Sequence, residues 1–355
     1  MHESVVNLHA HTLFSDGQGT HDEVAAAAIA AGLDALWITD HNVYVQGLDG
    51  YRYQGDRRVL LLAGEEIHDT LRLPQKNHLI VLEARRELAT LAARPQRLLD
   101  AVAEAGGLAF IAHLIDPEAP LFHEPDLSWV DFDLRGDFGV EIWNTMSEFK
   151  GHLRSIPRAL WYAFLPDLSP SGPYPEALRR WDALLASGRR VPAIGGADAH
   201  GTSVRLGPIT RTILPYLFLF RAVNTHLLTE EPLSGDAEAD RRRLADALRK
   251  GHAFVGYDRP ASTRGFQFSV SADQGEAGMG DVLPFRFGAT FQVQLPRPAH
   301  LRLIRHGVTV REWPRADAAI HTVKEPGAYR VEARLPFLGR LRHWIVSNPI
   351  YLLSA

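Results

Sequence analysis

The feature that most constrains this chain is an alternation of short strand-like and helical runs over residues 1–200, in which strand after strand ends in His, Asp or Glu. Val5-Val6-Asn7-Leu8-His9 reads as the first strand. Thr20-His21-Asp22-Glu23 is a capping box that opens an Ala-rich helix, and Gly32 ends it. Strand-like runs follow at 35–39, 59–63, 78–82, 108–112, 140–143 and 191–194, with helical runs at 95–105, 157–165 and 175–187. Such alternation predicts a parallel sheet or barrel. In a (β/α) barrel the strand ends converge on one rim, where active sites are built. Charged residues often do no more than punctuate loops. Their recurrence at successive strand ends, dominated by metal-ligand types, favours a shared site.

The texture changes after residue 200. Asp236 to Gly251 reads as a charged helix, and from about residue 260 six short strands are expected, at 265–270, 289–293, 300–304, 321–323, 329–333 and 343–346. That spacing predicts a small antiparallel β-sandwich. The boundary is placed at Asp258-Arg259-Pro260, giving units 1–259 and 260–355. Charge divides along the same line: the chain totals −4, with residues 260–355 at +5 and the remainder at −9. An acidic first unit in a chain of 17 histidines suits a cation-loaded site. Nothing in this balance suggests a nucleic-acid partner, other than a nucleotide or short oligonucleotide as substrate. Cysteine is absent, which excludes disulfides, thiolate nucleophiles and Cys-held metal clusters. The start Met1-His2-Glu3-Ser4 has no basic and apolar leader pattern, and the run Ile213 to Phe220 is far shorter than the roughly 20 residues of a membrane span. A cytoplasmic protein without a membrane partner is expected.

Candidate ligands come in chain order. His9-Ala10-His11 puts two imidazoles on one face of a strand end. Asp16 follows on a loop, Asp40-His41 ends the second strand, Glu65 the third, His78 begins the next, His113 ends another, and Asp198-Ala199-His200 follows Gly195-Gly196. Nitrogen and oxygen donors without sulfur suit zinc, iron or manganese better than copper(I), and the histidines argue against calcium alone. Asp40 is read as orienting His41 rather than as a ligand. Glu141 is read evenly as a site residue or a structural hydrogen-bond partner, and Lys150 and Arg205 as candidate phosphate contacts. His21 is read as solvated, Trp143 as core or pocket wall, and His2, His68, His123, His152, His226, His252, His300, His306, His321 and His343 as surface residues. No P-loop, G-x-S-x-G elbow or dinucleotide fingerprint is present.

Taken as a set, Leu8-His9-Ala10-His11-Thr12, Ser15-Asp16-Gly17, Thr39-Asp40-His41-Asn42, Gly64-Glu65, His78, Ala112-His113 and Gly196-Ala197-Asp198-Ala199-His200 resemble the polymerase-and-histidinol-phosphatase (PHP) superfamily over roughly residues 4–255. Val140-Glu141-Ile142-Trp143-Asn144 and the terminal Trp344-Ile345-Val346-Ser347-Asn348-Pro349-Ile350-Tyr351 resemble its carbaryl-hydrolase-like branch, which also carries a C-terminal β domain. The resemblance implies a distorted (β/α)7 barrel holding two or three divalent ions. It places His9, His11, Glu65 and Asp198 on the first, Glu65 with His78 and His113 on the second, and Asp16, His41 and His200 on the third. Two departures stand out. Asp16 occupies a position where many relatives have histidine, and Leu114 replaces the proline that commonly follows His113.

The expected activity is hydrolysis of a small phosphorylated substrate, mono- or diester, by a metal-activated hydroxide. Asp198 is then the proton acceptor, Glu65 sets the metal spacing, and His200 completes the catalytic set. Carbamate, ester or amide hydrolysis by the same centre is the alternative, and a non-catalytic metal-stabilised scaffold the third. An aryl-lined wall of Trp143, Phe149 or Trp161 would favour the neutral substrate, and converging Arg or Lys the phosphate.

Overall fold

A computed structural model describes residues 1–206 and 209–354; the side chains of 204–206, 209 and 210 lie outside that description. β1 (His2–Asn7) leads to α1 (His21–Ala31), whose start is the expected capping box: the Thr20 hydroxyl accepts from the Glu23 amide, and the Glu23 carboxylate accepts from the Thr20 amide. Then come β2 (Ala35–Ile38), β3 (Gly50–Gln54), β4 (Arg57–Ile67), β5 (Leu79–Leu82), α2 (Pro95–Glu104), β6 (Leu108–Ile111) and β7 (Gly139–Asn144). α3 (Thr145–Gly151), α4 (Ile156–Phe164) and α5 (Pro175–Ala186) precede β8 (Ala193–Gly196). A separate ribbon of β9 (Ser203–Leu206) and β10 (Ile209–Thr212) is followed by α6 (Tyr216–Phe220), β11 (Val223–Thr229), α7 (Ala237–Lys250) and β12 (Ala253–Tyr257).

The fold is mixed α/β with a large sheet. β1, β2, β4, β5, β6, β7 and β8 pair in that order. The two ends of the series meet just beyond β1 and β8, where the His11 amide donates to Ala199 O at 2.9 Å and the Ala199 amide to His9 O at 3.3 Å. This ring departs from the regular (β/α)7 alternation expected of the sequence. β5 runs antiparallel to both neighbours, because residues 68–78 contain no helix to carry the chain back across the sheet. The start of β5 therefore lies beside the end of β4, which brings His78 to the rim. Val6, Leu8, Trp37, Leu60, Leu62, Ile80, Leu82, Phe110 and Ile194 fill the interior.

β11 and β12, which the sequence reading did not identify, pair outside β1 and carry the sheet onward. The remaining strands are β13 (Gln267–Ala272), β14 (Gly275–Gly278), β15 (Val282–Phe285), β16 (Ala289–Arg305), β17 (Val308–Val323), β18 (Gly327–Phe337), β19 (Arg340–Ser347) and β20 (Ile350–Ser354). Two of the expected short strands are one long β16, in which a register shift between Gln294 and Ala299 absorbs Pro296 and Pro298. This second part has its own apolar core of Phe268, Phe291, Leu301, Val331 and Trp344. It is hydrogen-bonded to the first part rather than tethered to it. β12 pairs with β19, and the Asn348 side chain accepts from the Ala193 amide at 2.7 Å and donates to its carbonyl at 2.9 Å.

Two buried charge clusters reinforce the join. Arg330 donates to both Asp182 oxygens of α5, at 2.9 and 2.8 Å, and to Glu332 at 2.8 Å. His226, read from sequence as a surface residue, is fully buried between Glu3 (2.6 Å), Asp258 (3.3 Å) and the Thr263 hydroxyl (2.9 Å). Burial opposes its charged form, but the hydrogen bonds to Asp258 and Glu3 outweigh that and raise its pKa.

Replacing Arg330 with Met leaves Asp182 and Glu332 buried without a cation and is expected to destabilise the fold by about 3–5 kcal/mol in urea unfolding. A loss near zero would show that the cluster does not hold the two parts together. For His226 the sign follows from the raised pKa. Its contribution is fully present below the unfolded value of about 6.5 and fades as pH rises through the folded value. The stability gap between wild type and His226→Gln should therefore narrow from pH 6 to pH 9; a gap independent of pH would contradict the charged form.

Candidate metal centre

The strand period of two decides which acid enters the rim. On β4, Leu60 and Leu62 face the ring interior, and Glu66 shares their parity. Val59, Leu61 and Ala63 pack on the opposite side with α1, and Glu65 follows them. The structure thus corrects the expected Glu65 to Glu66. Glu65 is buried beside Glu87, and burial together with that neighbour pushes its carboxyl up to about 9.

Glu66 divides the surrounding histidines between its two oxygens. Oε2 lies 3.0 Å from His9 Nε2, 3.2 Å from His11 Nε2 and 3.2 Å from His41 Nδ1. Oε1 lies 2.9 Å from both His78 Nδ1 and His113 Nε2. Asp198 Oδ1 closes the first group, at 3.4 Å from His9 Nε2 and 3.1 Å from His11 Nε2. Asp16 forms a more open third group, 3.1 Å from His200 Nε2 and 3.6 Å from His41 Nε2.

Partners behind the ligand set fix its tautomers. Glu141 faces His9 Nδ1 at 3.1 and 3.2 Å, which leaves Nε2 to the centre, and it also accepts from the His113 amide at 2.7 Å and Asn144 Nδ2 at 2.9 Å. Of its two readings, Glu141 takes that of a positioning carboxylate directly behind the site. Gly196 allows the approach, because a Cβ there would collide with Glu141 Oε1 and crowd His9 Cβ. His200 Nδ1 donates to the Asp198 carbonyl at 2.8 Å, turning Nε2 toward Asp16. His113 and Asp198 hold positive φ, +26° and +53°, a strained backbone at two positions that carry candidate ligands.

The electrostatics are those of a cation cage. Burial disfavours imidazolium at His9, yet Asp198, Glu141 and Glu66 raise its pKa well above the ordinary value. His11 and His113 rise to about 9 in the same way, against burial, through Asp198 and Glu66 for the first and Glu66 for the second. Despite burial, the surrounding histidines hold Glu66 and Asp198 well below the usual carboxylate range. Not every donor is satisfied by its neighbours. His11 Nε2 is within 3.2 Å of two carboxylates, and His41 Nδ1 within 3.2 Å of Glu66, without hydrogen-bond geometry to any of them. Buried polar atoms left in this way, within an all-N/O donor set, fit divalent cations.

Other expectations divide. Asp40 does not touch His41; it accepts from the Thr12 amide, the Thr12 hydroxyl and the Ser15 hydroxyl, each at 2.7 Å, and so fixes the loop that carries Asp16. Lys150 is buried, donating to Asp116 at 3.3 Å and the Pro125 carbonyl at 2.7 Å, so its cation serves the fold rather than a phosphate. The Arg205 side chain lies outside the described residues. His68, read as a surface residue, is buried two places beyond Glu66, stacks on His78 at 4.3 Å and meets His41 edge-on at 4.8 Å. Its parity with Glu66, one residue past the end of β4, was the available signal. Trp143 and Phe149 are buried in the core, while Trp161 is exposed, so these three do not form one aryl wall.

Glu66→Gln is expected to lower the bound metal by at least one equivalent per chain, measured by elemental analysis after reconstitution. Glu65→Gln, a neutral mimic of a protonated buried acid, should leave metal content unchanged. The reverse pattern would return the bridging role to Glu65.

A family model described as PHP domain matches residues 7–102. No curated protein sequence matches the chain significantly. Among solved structures, a two-domain protein from Bacteroides vulgatus containing a predicted PHP-like metal-dependent phosphoesterase is 13% identical, with 98% of this chain and 95% of that one covered at a TM-score of 0.42. A protein from Bifidobacterium adolescentis assigned as a metal-dependent phosphoesterase is 17% identical, covering 57% and 91% at a TM-score of 0.34. An amidohydrolase from Chromobacterium violaceum with bound sulfate is 18% identical, covering 59% and 94% at 0.29. Among the described residues no helix is long and apolar enough to cross a membrane. The PHP-domain match, falling on the segment that supplies His9, His11, Asp16, His41, Glu66 and His78, points to a hydrolase.

Proposed function

We propose that the protein is a metal-dependent phosphoesterase acting on a small phosphorylated substrate, mono- or diester. The observation that carries the reading is the division of Glu66, one buried carboxylate whose two oxygens serve two separate donor groups. His9, His11, Glu66 and Asp198 would hold one cation, Glu66, His78 and His113 a second, and Asp16, His41 and His200 a third. Zinc, manganese and iron suit these donors. Such ions supply water acidified toward neutral pH and neutralise charge that builds on a phosphoryl oxygen.

The chain's own residues do the rest. Glu66 sets the distance between the first two groups. Glu141 holds His9 in one tautomer, and Asn144 Nδ2, 3.3 Å from Asp198 Oδ2, steadies the second Asp198 oxygen. Asp198 is anionic and faces the centre with Oδ1, which suits it to take the proton of the attacking water. The exposed Asp16, with His41 and His200 beside it, opens the third group to substrate.

Carbamate or ester hydrolysis is the second reading, since the same donor set can act on carbon. The resemblance of residues 140–144 and 344–351 to the carbaryl-hydrolase-like branch favours it.

The test is a panel of a phosphomonoester, a phosphodiester and an aryl carbamate with the metal-loaded protein. Phosphoester cleavage is expected, and Asp198→Asn should lower kcat by about 100-fold or more while circular dichroism stays unchanged. Cleavage of the carbamate alone would replace the proposal, and full activity of Asp198→Asn would remove Asp198 from its role.

A further inference from the structure

A recess of about 430 Å³ lies on the seam between the helices that follow β7 and the C-terminal sheet, apart from the residues of the metal centre. His152, Arg154 and Arg158 line it from one side, Arg334 and His343 from β18 and β19, and Glu148 belongs to its wall. The seam is tight there. The His343 amide donates to Ser171 O at 3.0 Å, and a Cβ on Gly172 would collide with the His343 ring.

Charge in the recess is one-sided. Glu148 is fully engaged by Ser171 N (2.5 Å), Ser171 Oγ (2.6 Å), Gly172 N (3.2 Å) and Trp143 Nε1 (2.9 Å). Glu332, the acid nearest Arg334 at 3.2 Å, is shared with Arg302, Arg330 and His343. Among the described residues Arg154 donates only to the Gly151 carbonyl, at 3.1 Å, and Arg158 lies 6.0 Å over the Tyr162 ring, neither with a carboxylate. Arg334 Nε is buried and has no partner.

We propose that this recess is a second ligand site, for the phosphate group of a small phosphorylated molecule. Three guanidinium groups with unused donors match a doubly charged tetrahedral anion better than a planar carboxylate. The volume accommodates more than the phosphate itself. The site is separate from the metal centre. Between them lies a cavity of about 10 Å³, bounded by Glu148, Gly172 and Tyr174 on one side and His113, Glu141 and Asn144 on the other. That is room for about one water molecule, so no substrate passes through.

Inorganic phosphate is the probe, with acetate as the planar control, measured by calorimetry on the metal-loaded protein and on Glu66→Gln. Phosphate binding that persists in Glu66→Gln, and weakens at least tenfold in the exposed double variant Arg154→Gln/Arg158→Gln with metal content unchanged, is the expected result. Arg334→Gln should weaken it likewise; if that variant fails to fold, the double variant decides. Loss of all phosphate binding in Glu66→Gln would assign it to the metal centre and overturn the proposal. So would no binding to wild type, unchanged affinity in the double variant, or equal affinity for acetate. None of these results bears on whether the metal centre cleaves phosphoesters.

Discussion

A carboxylate without exposure to water, Glu66, sits among five imidazoles, and the rim of the ring is arranged around that fact. An isolated buried anion is strongly disfavoured, so its surroundings must supply positive charge. Imidazolium at His9, His11 and His113 does so in the absence of metal, and a divalent cation competes with those protons for the same lone pairs. Protonated histidines and bound metal are thus two ways of meeting one electrostatic demand. The demand also explains the outer layer. Glu141 and Asn144 hold ring planes and oxygens in place, and the left-handed backbone at His113 and Asp198 keeps both side chains turned to the centre.

Topology delivers these side chains to one place. Because β5 doubles back on β4, Glu66 and His78 become neighbours although one ends a strand and the other precedes one. The closing bridge between the segments after β1 and β8 does the same for His9, His11 and Asp198. The C-terminal sheet supports the arrangement from outside. Arg342 donates to the carbonyls of Asp167 and Pro170, and the loop so held supplies the Ser171 and Gly172 amides that engage Glu148. Glu148 in turn accepts from Trp143 on β7, the strand that carries Glu141.

Much of this was legible in the sequence, because His, Asp and Glu recur at strand ends and strand ends announce themselves. His9, His11, Asp16, His41, His78, His113, Asp198 and His200 all gather at the rim where the motifs placed them. Two adjacent acids, however, cannot be separated by motif alone. Counting alternate residues back from the rim through Leu62 and Leu60 selects Glu66, and the same count includes His68. Asp40 misled for another reason: adjacency to His41 in the chain suggested contact, but neighbouring side chains on extended backbone point apart, and its partners are Thr12 and Ser15. β11 and β12 escaped notice because their significance is long-range, set by pairing with β1 and β19.

Burial grades the three donor groups. His9, His11 and Glu66 are closed off from water, His78 and His113 nearly so, whereas the Asp16 side chain is 57% exposed and His41 and His200 are 21% and 17% exposed. Electrostatic attraction weakens as solvent enters, so the same carboxylate–imidazole pairing acts more strongly in the inner groups than at the rim. Asp16 adds a negative charge where an imidazole would be neutral, which offsets part of that loss. The inner pair of groups is therefore the more enclosed, while the outer group, formed on a loop pinned by Asp40, is the one open to solvent.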